Sequence, residues 1–149
     1  MKKITAVIAL SVAMFSSATM ARDWTSNWAQ GTTEIIQRNT DGSSVNFSCP
    51  DESNDGVRTL FIDTADNLRY DSETDNYTII AKIDGKEVQL NSTLSRVGEA
   101  NWTYFWEQAA KVKGKTVTFI VPNHKPISFS TAGLKKIAND KDNKSCTTN

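Results

Sequence analysis

Few residues in this chain could perform catalysis, and no recognised catalytic motif connects them. His124 is the only histidine among the 149 residues, which excludes any site that needs two imidazoles. It lies between Pro122 and Pro126 in a predicted turn. Neither a nucleophile elbow nor an HExxH sequence is present. We therefore predict no catalytic residue, and a hydrolase that uses His124 or paired carboxylates is the alternative.

Acidic residues cluster in two segments. Asp51 to Gly56 matches the start of a calcium-binding loop, but Ile62 occupies the position where such a loop requires a bidentate glutamate. Asp71, Glu73 and Asp75 alternate, so in an extended segment they would share one face. A solvated loop is the favoured interpretation, with a weak cation site as the alternative. We predict no metal and no cofactor, and expect residues 63–75 to steer a basic partner.

Aromatic residues give the strongest indication of a binding surface. Trp102, Phe105 and Trp106 fit one face of a helix, which is typical of core packing. Trp102 and Tyr104 cannot both face inward with the other two, so part of the cluster should be exposed and available for partner contact. The predicted contact residues are Trp102, Tyr104, Trp106, Asp71, Glu73 and Asp75.

The first 21 residues have the pattern of a signal peptide. Two lysines precede an apolar run, and small residues follow it, with cleavage expected after Ala21 or after Ala18. The apolar run is too short to span a bilayer stably, so residues 22–149 would form one exported domain without a transmembrane segment. We predict a periplasmic location, with secretion as the alternative.

The two cysteines are expected to form a disulfide. Cys49 and Cys146 would pair in an oxidising compartment, and the chain has no CxxC motif for redox catalysis. A free reactive thiol is the alternative. Two cysteines are also too few for a four-thiolate zinc site.

Strand patterns dominate the rest of the sequence. The clearest is a hairpin over Tyr77 to Asn91, in which two alternating segments flank Asp84-Gly85, a pair suited to a type I′ turn. Two helices are predicted late in the chain, one from Trp102 to Lys113 with Asn101 as its cap and one from Ser130 to about Asn139. Residues 22–30, with Trp24 and Trp28 four apart, suggest a short helix or an aromatic clamp. The predicted strands are 32–38, 43–49, 59–63, 115–121 and 127–129.

This order of elements predicts an α+β fold, an antiparallel sheet with two late helices and one disulfide. Seventeen basic residues balance 17 acidic ones, and loss of residues 1–21 would leave 15 against 17. That balance excludes binding to nucleic acid through bulk positive charge.

The C-terminal segment from Ile127 to Ile137, ISFSTAGLKKI, resembles the closing strand and helix of the invasion-associated locus B family of small exported bacterial proteins. The Asp84-Gly85 hairpin followed by a helix and a strand is similar in order. The resemblance covers at most about the last seventy residues, and this chain has two cysteines where that family typically carries more. It implies an exported, non-enzymatic fold and supplies no catalytic residue.

Together these observations predict a non-enzymatic binding protein of the bacterial envelope. Its expected partner is an envelope or secreted protein, most plausibly a cell-wall hydrolase or a toxin, which this protein would inhibit or neutralise. An accessory or structural envelope subunit is a further alternative.

Overall fold

The computed structural model describes residues 22–54, 56–74 and 77–148. The predicted signal peptide, together with Asp75, lies outside these residues. Within them, two antiparallel sheets and a few short helices confirm the α+β class.

The first sheet is a five-stranded meander in which each strand pairs with the next one along the chain. Alternating residues point to opposite faces, so β2, β3 and β4 each bury one face and leave the other partly exposed. Its strands are β1 (Thr25–Ala29), β2 (Thr32–Arg38), β3 (Ser44–Pro50), β4 (Thr59–Asp63) and β5 (Arg69–Asp71).

The second sheet has four strands in the order β7-β6-β8-β9. Its strands are β6 (Ile79–Ile83), β7 (Lys86–Leu90), β8 (Thr116–Ile120) and β9 (Ile127–Ser130). Asp84 and Gly85 join β6 to β7 with φ values of 47° and 76°, as a type I′ turn requires. The predicted hairpin is thus confirmed.

Three helices complete the chain: α1 (Arg96–Ala109), α2 (Leu134–Ala138) and α3 (Lys144–Thr147). Helix α1 begins six residues before the predicted start, because Ser95 rather than Asn101 accepts the backbone N–H of Gly98. Helix α2 is shorter than predicted and begins after Gly133, which adopts a φ of 82°.

Residues 22–30 do not form the short helix suggested by the Trp24 and Trp28 spacing. They contribute β1 instead, because pairing with β2 satisfies the backbone of this segment. Trp24 is buried and its indole N–H donates to the Ser130 carbonyl at 2.6 Å, whereas Trp28 is exposed.

One aromatic cluster joins the two sheets to α1. Phe47 on β3 lies at its centre, with ring centroids 5.1 Å from Phe105 and 4.9 Å from Trp106. It also contacts Phe119 on β8, which places both sheets and the helix around one core. Such close packing fixes the C-terminal half of α1 relative to β3, the strand that carries Cys49.

Candidate functional site: a cleft beside the disulfide

The structure places the two predicted contact tryptophans in the core. Trp102 and Trp106 are 0% exposed, and the Trp102 indole N–H donates to the Cys146 carbonyl at 2.7 Å. Neither side chain can reach a partner, so their assignment as contact residues is wrong. The helical pattern had two interpretations, and core packing prevails because both sheets close over this face of α1.

Tyr104 is the one residue of the predicted aromatic cluster that reaches the surface. Its side chain is on the outer side of α1, with the Lys86 ammonium 5.9 Å from the ring centroid. Lys86 also donates to the Gln108 side chain at 2.8 Å. A tyrosine held beside a cation can contact a partner, and it lines a depression of about 450 Å³ together with Glu87 and Gln89.

The predicted acidic residues have internal partners. The Asp71 carboxylate accepts the backbone N–H groups of Glu73 and Thr74 at 2.9 and 2.7 Å, which builds a tight turn. Glu73 accepts the Ser92 hydroxyl at 2.6 Å and thereby supports the loop before α1. Asp75 lies outside the described residues. Asp71 and Glu73 therefore shape local structure, and steering of a basic partner by this segment stays a prediction.

His124 is partly buried, and its contacts do not form a nucleophile-activating site. Its Nδ1 lies 2.8 Å from the Lys125 carbonyl and its Nε2 lies 3.3 Å from the Asp66 carboxylate. A general base needs one ring nitrogen facing a hydroxyl, a thiol or a water. Both nitrogens of His124 face oxygen acceptors, and neither faces a hydroxyl or a thiol of the described residues. The contact between His124 and Asp66 instead connects the β4–β5 turn to the β8–β9 turn.

The predicted disulfide is present and both of its cysteines are fully buried. It joins the end of β3 to α3, across 97 residues of sequence. Pro50 follows Cys49 directly, and Ser145 precedes Cys146. Both residues line a cleft of about 500 Å³, so the disulfide ties two walls of the cleft together.

Loop 50–58, residues 93–94 and α3 form the walls of this cleft. Apolar groups come from Pro50, Val57 and Leu94, whereas charged groups come from Asp51, Glu52, Arg58 and Lys144. The Arg58 guanidinium is fixed by an ion pair of 3.0 Å with Glu99 on α1. The Ser53 hydroxyl, and to a smaller extent the Trp28 indole N–H, lower the pKa of Asp51 by hydrogen bonding to its carboxylate. The cleft thus combines apolar and charged side chains held in fixed positions.

Residues 92–97, which we term the α1 tip, form the most prominent edge of the cleft. Leu94 is 79% exposed and Val97 is 70% exposed. Hydrogen bonds hold the tip rigid, because the Ser92 hydroxyl accepts the N–H of Leu94 at 3.2 Å while donating to Glu73. The Thr93 hydroxyl donates to the Arg58 carbonyl at 3.3 Å. Two large apolar side chains therefore project from a segment that is already ordered.

Gly98 allows the tip to pack closely against the first turn of α1. A Cβ atom at this position would lie 1.9 Å from the Ser92 carbonyl oxygen, well inside any permitted contact. The turn and the loop can therefore approach each other only because residue 98 has no side chain.

Trp28 adds a third exposed apolar group to the same end of the molecule. It is 66% exposed on the edge strand β1, and its side chain lies close enough to the lining residue Asp51 to make a small contribution to the lowered pKa of that carboxyl. Asp51 also donates its backbone N–H to the Gly31 carbonyl at 2.8 Å, so the β1–β2 turn and the cleft wall are connected.

Comparison with protein-family models gives a match over residues 22–138 to the family described as YfjT. The chain belongs to the YfjT family. No curated protein and no solved structure matches it. The YfjT match does not bear on the resemblance of the C-terminal segment to the invasion-associated locus B family.

In this YfjT chain, the sequence patterns did not indicate the two exposed apolar residues of the α1 tip, Val97 and Leu94, of which Leu94 lines the cleft. Both lie in the polar run between the predicted hairpin, which ends at Asn91, and the predicted helix, which begins at Trp102. Isolated large apolar residues in a polar connection are the feature that could have indicated them. Within the described residues, no helix is long and apolar enough to cross a membrane.

Proposed function

We propose that this YfjT-family protein is an exported binding protein whose cleft end contacts another protein of the envelope or the secreted fraction. The observation that carries this proposal is a set of exposed apolar residues at this end of the molecule: Leu94, which lines the cleft, Val97 on the same tip, and Trp28, whose side chain lies beside the lining residue Asp51. All three side chains are more than half exposed, and two of them belong to the rigid α1 tip. Exposed large apolar side chains grouped beside polar ones are typical of protein-contact surfaces.

Burial of the α1 tip would supply useful binding energy. A leucine or valine side chain that passes from water into an apolar contact contributes about 1.5–3 kcal/mol. Because hydrogen bonds from Ser92 and Thr93 already order the tip, little additional conformational entropy is lost on binding. A few such contacts suffice for a specific complex.

The shape of the tip supports an inhibitor or immunity role. A projecting loop with an apolar end can enter the active-site cleft of a hydrolase or a toxin and block its substrate. The invasion-associated locus B resemblance implies the same non-enzymatic, exported class. The buried disulfide supports a location in an oxidising compartment, periplasmic by preference and extracellular as the alternative.

The test is affinity capture with the tagged protein, expressed as the full chain and purified after export. Envelope and secreted extracts are passed over the wild type, a Leu94→Asp/Val97→Asp variant and a Leu68→Asp control. Leu68 is 48% exposed on the β4–β5 turn, so its replacement introduces a charge away from the cleft. Mass spectrometry then identifies the proteins that each form retains.

We expect a stoichiometric partner that the wild type and the Leu68→Asp control retain and the tip variant loses. Inhibition of that partner's hydrolytic or toxic activity by the wild type alone would support the inhibitor assignment. Retention of the same partner by the tip variant would exclude the cleft end as its contact surface. If no form retains a protein at moderate salt, the binding proposal fails.

An accessory or structural envelope subunit is the second candidate, since an exposed apolar group can also join copies of one chain. It predicts a stable oligomer of the purified protein that Leu94→Asp/Val97→Asp dissociates. Sedimentation equilibrium distinguishes the two roles, because the binding proposal predicts a monomer for both forms.

A further inference from the structure

The net charge of the chain conceals a strong asymmetry between its two parts. Residues 107–148 contain eight lysines and three acidic residues, whereas residues 22–106 contain seven basic and fourteen acidic residues. The C-terminal part is therefore basic in a chain that is neutral overall. Such an asymmetry matters for partner choice, because local charge governs the encounter of two proteins.

None of these eight lysines forms an ion pair with another described residue. The ion pairs within residues 22–54, 56–74 and 77–148 involve Arg58, Arg69, Lys82 and His124 instead. Of these lysines, Lys113 acts electrostatically on Asp84 and helps to lower the pKa of that carboxyl. The eight ammonium groups are otherwise not held in ion pairs among the described residues, so an external anion can approach them.

Three of the free lysines line one groove of about 790 Å³. Lys111 follows α1, Lys141 lies in the turn before α3, and Lys144 is the first residue of α3. The Asn139 amide fixes the two sides of the groove, since it donates to the Ala110 carbonyl at 2.9 Å and to the Lys135 carbonyl at 2.7 Å. The groove is therefore a formed feature of the fold.

The groove adjoins the cleft, because Lys144 lines both. From this proximity and from the lysines of the groove, we propose that it receives an acidic segment of the protein partner while the α1 tip makes the apolar contact. This inference rests on the proposed function and specifies the charge of the partner. It differs from the expectation of a basic partner, which stays a prediction; Asp71 and Glu73, two of the carboxylates on which that expectation relied, accept internal hydrogen bonds.

The two carboxylates in the groove argue for a protein segment over a phosphate-rich surface. Glu107 and Asp142 lie among the three lysines and would repel a continuous array of phosphates from a membrane or a nucleic acid. A peptide can place separate Asp or Glu side chains opposite the lysines and leave neutral residues opposite Glu107 and Asp142. Lysine suits such contacts as a mobile point charge on a flexible stem.

The groove can be tested with a defined probe, before any partner is known. A fluorescent twelve-residue peptide of alternating Glu and Leu is titrated with the exported protein, and anisotropy gives the Kd at low and at moderate salt. The test variant is Lys111→Gln/Lys141→Gln/Lys144→Gln. The matched control, Lys113→Gln/Lys115→Gln/Lys125→Gln, removes the same charge from lysines outside the groove. Far-UV circular dichroism and the Tm establish that both variants fold.

We expect the wild type to bind the peptide in a salt-sensitive manner. The Kd should rise by about tenfold in the groove variant and by less than threefold in the control variant. Equal weakening by both variants would show a bulk charge effect and overturn the proposal. So would tighter binding of a Lys-Leu peptide, or the absence of binding at millimolar concentration. Groove-dependent sedimentation with phosphatidylglycerol vesicles would assign the groove to a membrane surface instead.

The two sets of variants distinguish a failure of the proposed function from a failure of this inference. If the Leu94→Asp/Val97→Asp variant retains its captured partner, the contact surface is wrong even when the acidic peptide binds the groove. If that variant loses the partner but the groove variant keeps it, the contact surface stands and the acidic segment is excluded.

Discussion

At the scale of single residues, Gly98 decides the position of the α1 tip. The Ser92 carbonyl occupies the space that a side chain would need, so the glycine is required by packing and not by its backbone angle. Within a helix, replacement of Gly by Ala normally stabilises a protein by about 1 kcal/mol. We expect the opposite for Gly98→Ala, a loss of about 1–3 kcal/mol from the clash, together with weaker partner capture.

Urea unfolding of Gly98→Ala and of wild type measures this effect. Ala100→Gly, an exposed change in the same helical turn, is the control and should lose only the propensity difference of about 1 kcal/mol. A Gly98→Ala protein more stable than wild type would show that the tip can move aside, and the argument for a rigid tip would not hold.

Predictions for single residues were accurate where the residue types permit only one local structure or one partner. Asp84-Gly85 predicts its own turn because few residue pairs adopt two positive φ angles. The two cysteines could pair only with each other within the chain. The prediction was wrong for Trp102 and Trp106. An amphipathic pattern shows that one face of a helix is apolar, but it does not show which other elements cover that face. Burial of that face depends on Phe47 and Phe119, which are distant in sequence.

At the scale of elements, predicted strands with clear alternation were accurate. The bounds of β2 and β4 coincide with the prediction, whereas β5 falls in a stretch that reads as polar loop. Arg69–Asp71 becomes a strand because pairing with β4 supplies its backbone partners, an interaction with no local sequence pattern. The sequence patterns also missed the early start of α1, since Gly98 lowers helix propensity. The helix begins there because Ser95 accepts the backbone N–H of Gly98, which has room for no side chain beside the Ser92 carbonyl.

Asp84 connects two elements, the β6–β7 hairpin and the end of α1. Its carboxylate accepts the backbone N–H of Lys113 at 2.9 Å and that of Gly114 at 2.7 Å. These two hydrogen bonds lower the pKa of Asp84 below its usual 3.8, and the bond from Lys113 has the larger effect. A carboxyl with a lowered pKa in the folded state adds stability above the unfolded pKa, and this is lost as the pH falls through the folded pKa.

We therefore expect Asp84→Asn to be less stable than wild type at pH 6, with the difference narrowing below pH 3.8. Asparagine tolerates the positive φ of 47°, so the backbone of the turn is preserved. Thermal unfolding at pH 2.5, 3.5 and 6 gives the comparison, with Asp23→Asn as a carboxylate control. A constant difference between Asp84→Asn and wild type across this range would indicate that the charge of Asp84 does not contribute.

At the scale of the whole molecule, the disulfide contributes both to the free energy of unfolding and to the arrangement of the cleft walls. Cys49 and Cys146 are separated by 97 residues, so the unfolded chain loses much of its freedom when they are joined. The chain-entropy model gives about 4–5 kcal/mol for a loop of this length. Because Pro50 and Ser145 adjoin the bond, its removal should also loosen two walls of the cleft. The sequence predicted the disulfide. It did not predict the effect of the disulfide on the cleft, because that effect depends on where loop 50–58 and α3 meet.

The Cys49→Ala/Cys146→Ala variant separates these two effects. We expect its urea midpoint to fall by an amount that corresponds to several kcal/mol, and its affinity for a captured partner to fall even where the protein remains folded. Hydrogen exchange should show faster opening of residues 50–58 and 144–148 than of β6–β7, which the bond does not adjoin. Chemically reduced wild type is the control for the substitutions. If the folded variant binds as tightly as wild type, the cleft is organised by the aromatic core around Phe47 and the disulfide contributes to stability alone.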